Sequence, residues 1–364
     1  MKAVLGLEDG TVVKGKGFGA EGVALGELVF ATSFTGYEEA LTDPSYKGQI
    51  LMLTYPLIGN YGISYENFQS DGIKAEGFVV REICDHPSHP KSKSTLHEFL
   101  EKEGIPGICD VDTRMLTILT RKRGAMRAAL ITGDDDGERA VELAREQPTI
   151  SKLDLISEVT CAEPYQIKGR GKRFVVMDLG VKRSILSGLN QRGVDIVVVP
   201  ASTTPTQIQE YEPDALLLSN GPGDPMQAKN AISVASVLVG KIPIFGIGLG
   251  HQVIALALGA KTYKLKFGHR GTNQPVRDVD TGKIYITSQN HGFAVDPDSL
   301  NDAELRVTQV NVNDGTVEGL RHASLPIMSA QYYPEVAPSP RDVEFSFDAF
   351  MKMVGGYDAQ ASGY

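Results

Sequence analysis

The run Ile242-Pro243-Ile244-Phe245-Gly246-Ile247-Gly248-Leu249-Gly250-His251-Gln252-Val253-Ile254-Ala255 reads as a buried strand, a glycine-flanked tight turn and a helix. That is the geometry of a nucleophile elbow. Its central residue is held in a strained backbone conformation, with its side chain above the sheet at the N-terminus of the next helix. Amides at such a turn can stabilise an oxyanion, and small neighbours such as Gly246 and Gly250 let the turn pack closely. The central position is Gly248, which has no side chain. The turn is therefore expected to keep the shape used for covalent catalysis while lacking the attacking group.

Other chemistry-bearing clusters carry less. Cys84-Asp85-His86-Pro87-Ser88-His89 places a thiol, a carboxylate and two imidazoles together, but a metal would need a fourth placed ligand. A polar surface loop is expected there, and no metal site. Gly17-Phe18-Gly19-Ala20-Glu21-Gly22 matches G-x-G-x-x-G, yet turn and strand residues follow where a pyrophosphate site needs a helix. No G-x-x-x-x-G-K-[ST] occurs, so no P-loop for ATP is expected. Lys168-Gly169-Arg170-Gly171-Lys172-Arg173 lacks interleaved aromatics and reads as a solvated connector rather than a nucleic-acid patch.

The elements that must position the elbow follow from the rest of the chain. Its 364 residues suit two domains and a substantial core. No apolar run reaches the ~18 residues of a membrane span. The charge of −9 argues against nucleic acid and anionic membrane as partners. Three cysteines (Cys84, Cys109, Cys161) are too few for a disulfide scaffold, and a cytoplasmic location is expected. Residues 1–150 mix strand-like pieces (Val12-Val13, Leu28–Phe30, Ile50–Thr54, Phe78–Val80) with helical periodicity at Ser94–Glu103, Thr113–Arg123 and Gly137–Glu146, an α+β domain. Residues 151–172 read as a linker. Residues 173–354 alternate short apolar strands with helices, an α/β domain with a mainly parallel sheet covered on both faces. Residues 355–364 read as a frayed tail.

The string Gly246–Gln252 resembles the F-G-[IV]-C-L-G-H-Q elbow of the class I glutamine amidotransferases. Leu218-Ser219-Asn220-Gly221-Pro222-Gly223-Asp224-Pro225 is similar to the loop that helps form that family's oxyanion site. Ser288–Phe293 and Gln331-Tyr332-Tyr333-Pro334-Glu335 fall where the family has its glutamine-binding strand and its H-P-E. Thr35–Tyr46, Asn60-Tyr61-Gly62, Asp110–Arg114, Asp178–Ile185 and Lys266–Gly271 resemble the small subunits of carbamoyl-phosphate synthetases. The resemblance runs over essentially the whole chain.

It implies an N-terminal domain that docks a large subunit, with a C-terminal amidotransferase-like domain, in a hetero-oligomer. It implies that ammonia from glutamine passes to the large subunit, where ATP and magnesium are used, and that this chain carries no cofactor of its own. Bicarbonate and ATP there yield carbamoyl phosphate for arginine and pyrimidine synthesis. It implies that Ser45, Gly221, Gly223, Leu249, Gln252, Asn290, Gly292 and Phe293 hold glutamine, and that Glu335 orients the catalytic base. Two positions depart: Gly248 stands at the nucleophilic cysteine and Tyr333 at the histidine base. Hydrolysis needs a thiolate and an imidazole, and a phenol with pKa near ~10 is a poor base at neutral pH. The expectation is a chain deficient in glutaminase that supports ammonia-dependent synthesis. The alternative is an active glutaminase with an unusual nucleophile, such as the Ser219 hydroxyl beside the elbow.

Overall fold

The computed structural model describes residues 1–300, 303–335 and 345–361. The chain divides into two compact units, Met1–Leu153 with Leu265–Gly271, and Asp154–Lys264 with Thr272–Tyr364.

In the first unit the strands are β1 (Lys2–Leu7), β2 (Val12–Gly19), β3 (Gly22–Ala31), β4 (Gln49–Leu53), the short β5 (Leu57–Ile58), β6 (Gly77–Val79), the short β7 (Glu82–Ile83), β8 (Pro106–Cys109) and β9 (Met126–Thr132). Seven of them close a barrel in the order β1-β2-β8-β6-β4-β3-β9. Closure leaves no ladder edge exposed. Exposure alternates along β2, with Val12, Lys14 and Lys16 outward, as a period of two requires. The helices are α1 (Tyr37–Thr42), α2 (Leu96–Lys102), α3 (Thr113–Arg123) and α4 (Gly137–Glu146). Thr95 and Glu98 form a full capping box on α2. Gly6 lets α4 lie on β1, because a Cβ there would stand 2.6 Å from the Ala140 carbonyl carbon. The G-x-G-x-x-G run is the end of β2 and the turn into β3, with Gly19 at φ 70, so no helix follows it as a pyrophosphate site needs, and the Gly19 amide is taken by His97 Nδ1 at 2.8 Å.

The second unit is a ten-stranded sheet flanked by helices. Its strands are β10 (Tyr165–Ile167), β11 (Arg173–Asp178), β12 (Asp195–Pro200), β13 (Ala215–Leu218), β14 (Ile244–Ile247), β15 (Thr262–Asp278), β16 (Ile284–Val295), β17 (Leu305–Asn311), β18 (Val317–His322) and β19 (Ile327–Ala330). The order is β10-β12-β11-β13-β14-β19-β18-β17-β15-β16. β12, β11, β13, β14 and β19 run parallel. The helices are α5 (Arg183–Gln191), α6 (Pro205–Glu210), α7 (Lys229–Leu238), α8 (Leu249–Ala257) and α9 (Phe345–Ala361).

Alternate residues of each central strand feed opposite cores. Val175, Met177, Leu216 and Leu218 meet Val234 and Leu238 of α7 and Val253 of α8. Phe174, Val176, Leu217 and Phe245 meet Ile185 and Leu189 of α5 and Phe347 and Phe350 of α9. Burial on both faces explains why these strands read as unbroken apolar runs. No described helix is long and apolar enough to cross a membrane.

Two expectations change. The stretch 151–172, read as a linker, carries β10, which pairs antiparallel with β12 through Gln166↔Val197, and buries Leu155 and Ile156. Its polar composition suits an edge strand, where one face meets water. The tail expected to fray from residue 355 is helical to Ala361, because Phe350 and Val354 anchor α9 on the sheet; residues 362–364 lie outside the described residues.

Candidate functional site

The chain leaves β11 to build β12 on one side, then crosses back to place β13 on the other. At such a reversal the loops leaving the carboxyl ends of the strands part and open a crevice. The loops after β11, β13, β14 and β19 supply the site.

Gly248 follows β14 directly at φ 58 and ψ −109 and forms the N-cap of α8. This conformation turns the chain at once, so α8 starts at Leu249, directly after the turn. A Cβ on Gly246 would collide with the Gly250 carbonyl, and one on Gly250 with the Leu218 carbonyl. At Gly248 a Cβ would stand 3.3 Å from the Asn220 Cβ and 3.9 Å from the Gln331 carbonyl oxygen. The elbow is therefore formed, and position 248 points a side chain toward Asn220 and Gln331. The Gly248 amide donates to the Ala330 carbonyl at 2.9 Å and the Gly250 amide to the Ser219 carbonyl at 3.0 Å, tying the turn to both neighbouring strands. The Leu249 amide stands at the first helical position, where an N–H has no acceptor within its own helix.

The loop after β13 closes onto this turn. Gly221 is pressed between the Leu179 carbonyl and the Leu249 side chain, where no Cβ fits. Gly223, at φ 85, faces Leu155. Gln252 is buried and its Nε2 donates to the Phe293 carbonyl and to Gln331 Oε1, both at 2.8 Å. That links α8 to β16, which carries Asn290, Gly292 and Phe293, and to the end of β19. Seven of the eight expected glutamine-binding residues thus belong to the second unit. Ser45 belongs to the first, on a short 3-10 turn where its amide donates to Asp43 Oδ1 at 2.9 Å and its carbonyl accepts from Gln49 Nε2 at 3.2 Å.

Tyr333 and Glu335 lie just past β19. Tyr333 is 4% exposed and packs in the core with Phe245, Ile247 and Phe347. The Lys182 ammonium sits 3.9 Å from its ring centroid. The same ammonium is 2.6 Å from Glu335 Oε1, both side chains being 2% exposed, and Ser184 Oγ donates to that oxygen at 3.2 Å. Glu335 Oε2 is buried with no partner among the described residues. A cation held this way is answered by a carboxylate and an aromatic face together, which offsets the cost of burying it.

Sequence reading missed Lys182, Ser184 and Gln331 as site residues. A lysine at the start of an amphipathic helix looks solvated. Only its place, four residues past a buried parallel strand, pointed to the site.

Ser219 is fully buried, with its hydroxyl donating to the Asn220 carbonyl at 2.7 Å and accepting from the Leu179 amide at 2.9 Å. It braces two loops. Burial raises the Cys109 thiol to about 11, and burial with the neighbouring Asp178 raises Cys161 to about 12, so both are protonated at neutral pH. The Cys84–His89 loop is held through backbone bonds, with the Lys91 amide donating to His89 Nδ1 at 3.3 Å.

The second unit, a doubly covered parallel sheet with an elbow at its switch point, has the architecture of a class I glutamine amidotransferase domain. That family's description matches residues 175–353, and "Carbamoyl-phosphate synthase small chain, CPSase domain" matches residues 5–130. The carbamoyl phosphate synthase small chain of Methanosarcina acetivorans is 60% identical over 98% of this chain and 100% of its own length. That of Archaeoglobus fulgidus is 54% identical over 98% and 100%. Among solved structures, the glutaminase domain of Trypanosoma brucei CTPS aligns at TM-score 0.41 and 18% identity, over 51% of this chain and 94% of that one. The chain belongs to the carbamoyl phosphate synthase small-chain family.

Proposed function

We propose that this chain is a small subunit whose glutaminase has been lost and which serves a carbamoyl phosphate synthase drawing on free ammonia. One observation carries the reading: the elbow is fully built around a residue with no side chain, Gly248. Thioester formation on glutamine needs a thiolate at that point and an imidazole beside it. Tyr333 occupies the base position as a core ring under Lys182, not as a proton acceptor. Removing a triad nucleophile costs on the order of 10⁶ in turnover. Neither Ser219 nor Cys161 replaces it, the first being engaged in bracing loops and the second held as a neutral thiol.

The first unit docks a large subunit, which holds ATP and magnesium. The resulting cytoplasmic heterodimer supplies carbamoyl phosphate for arginine and pyrimidine synthesis. Gly221, Gly223, Leu249, Gln252, Asn290, Gly292 and Phe293 keep a glutamine pocket that holds glutamine without hydrolysing it.

Assaying the purified complex with glutamine and, separately, with an ammonium salt tests the reading. The ammonia rate is expected to exceed the glutamine rate by several orders of magnitude; comparable rates would sink it. Calorimetric titration with glutamine tests the pocket separately.

A further inference from the structure

On the antiparallel side of the second unit, the register of β17 and β18 sets Arg306 opposite Arg321. Directly opposed like charges destabilise a ladder unless they are answered. Only one is. Both oxygens of Asp280 take the Arg306 fork at 2.8 Å. Arg321 is exposed and has no carboxylate within ion-pair distance among the described residues.

The two arginines line a cavity of about 180 Å³. Met328, opposite Arg321 in the ladder, gives it an apolar wall on the same face of the sheet. The Tyr332 hydroxyl, on a side chain 1% exposed, is fixed between Gln309 Oε1 at 2.9 Å and Ser346 Oγ at 2.8 Å, so this wall is rigid. Asp278 also lines the cavity, with its Oδ1 occupied by the Thr281 amide and hydroxyl at 2.8 and 2.7 Å. Arg306 and Asp280 answer each other, and Asp278 makes no ion pair with Arg321 among the described residues. The open group is the Arg321 guanidinium fork, which suits a planar group with two acceptors. A dianion would face both aspartates.

We propose that this cavity binds a small monocarboxylate, its carboxylate on the Arg321 fork and its short apolar body against Met328. The cavity borders the strand that holds the elbow, since Ala330 lines it and its carbonyl takes the Gly248 amide, but Arg321 and Met328 play no part in the glutaminase reading and the proposal does not rest on it.

Titration of the full chain with acetate, propionate and butyrate, read by calorimetry and by the side-chain nitrogen resonances of arginine, tests it. Saturable binding is expected, weakened about tenfold or more by Arg321→Gln, since a charge-assisted pair is at stake. Arg321→Lys keeps the charge without the fork and should fall between. Lys229→Gln, a surface cation elsewhere on the unit, should bind as the parent does. Because Arg321 is exposed, the variants should fold, and thermal melts check this. No saturable binding of any of the three acids, or binding indifferent to Arg321→Gln, overturns the proposal. Inorganic phosphate outcompeting the carboxylates would overturn the charge argument behind it.

Discussion

At Gly248 the backbone already adopts the conformation a nucleophile would need, so restoring a thiol is a question of strain and partners. A non-glycine residue at φ 58 and ψ −109 costs on the order of 1–3 kcal/mol, and the Asn220 Cβ at 3.3 Å leaves little slack. Gly248→Cys alone should restore little glutaminase, because the thiol would lack its base. Gly248→Cys with Tyr333→His should exceed it by about a hundredfold or more, the usual contribution of a general base. Single-turnover glutamate release checks this, and full recovery by the single change would refute the role given to position 333. Tyr333→His also removes a ring from the core and the aromatic face from Lys182, so the double variant should be less stable than the parent.

The buried pair makes a separate prediction. Lys182→Met takes the buried cation away from Glu335, an expected loss of about 3–5 kcal/mol, most of it recovered by adding Glu335→Leu. Denaturant titrations of the four corners of that cycle measure it. Gly248 and Tyr333 were legible because distinctive strings flank them; Lys182 was not, because burial of a charge leaves no local mark in a sequence.

Among the elements, the elbow depends on how closely two strands and a helix approach. A Cβ at Gly246 or Gly250 would overlap backbone carbonyls, which cannot swing aside as a side chain can. Gly246→Ala and Gly250→Ala should each cost about 3 kcal/mol or more. Gly104→Ala, at φ 73 with open space around it, should cost only about 1–2 kcal/mol from backbone strain. Thermal melts of the three variants rank them, and equal costs would show that close approach is not what position 246 or 250 requires. The central strands and α5 to α8 were readable because burial on both faces writes a continuous apolar run. β10 and the last turns of α9 were not, since an edge strand and a partly solvated helix end share the polar, small-residue composition of a loop.

For the molecule as a whole, acid sensitivity has a specific source. His251 is fully buried, its Nδ1 is 2.9 Å from Ser329 Oγ, and burial lowers its pKa from 6.5 to about 3. The unfolded chain takes up this proton below 6.5, while the folded one does so only near 3. Stability is therefore complete above pH 6.5 and falls as pH drops toward 3, by up to about 1.4 kcal/mol per pH unit. Unfolding free energies at pH 5 and 7 should differ accordingly, and His251→Gln should flatten that slope by one proton; an unchanged slope would place the sensitivity elsewhere.

The division into two units was readable from the change of grammar near residue 173, but its seam was not, because contacts between distant parts of the chain are invisible to periodicity. The middle of β15, Leu265–Gly271, belongs to the first unit: Phe267 stacks on Phe30 at 5.9 Å between centroids, Arg270 Nε donates to Gln49 Oε1 at 3.2 Å, and the Lys266 carbonyl accepts from the Ala125 amide at 2.8 Å. During synthesis the first unit is therefore completed only by a strip of polypeptide made more than a hundred residues later. A fragment cut at Leu153 would leave the ribosome with Phe30 lacking its stacking partner and Gln49 and Ala125 lacking theirs, and it should be more stable and more soluble when that strip is supplied.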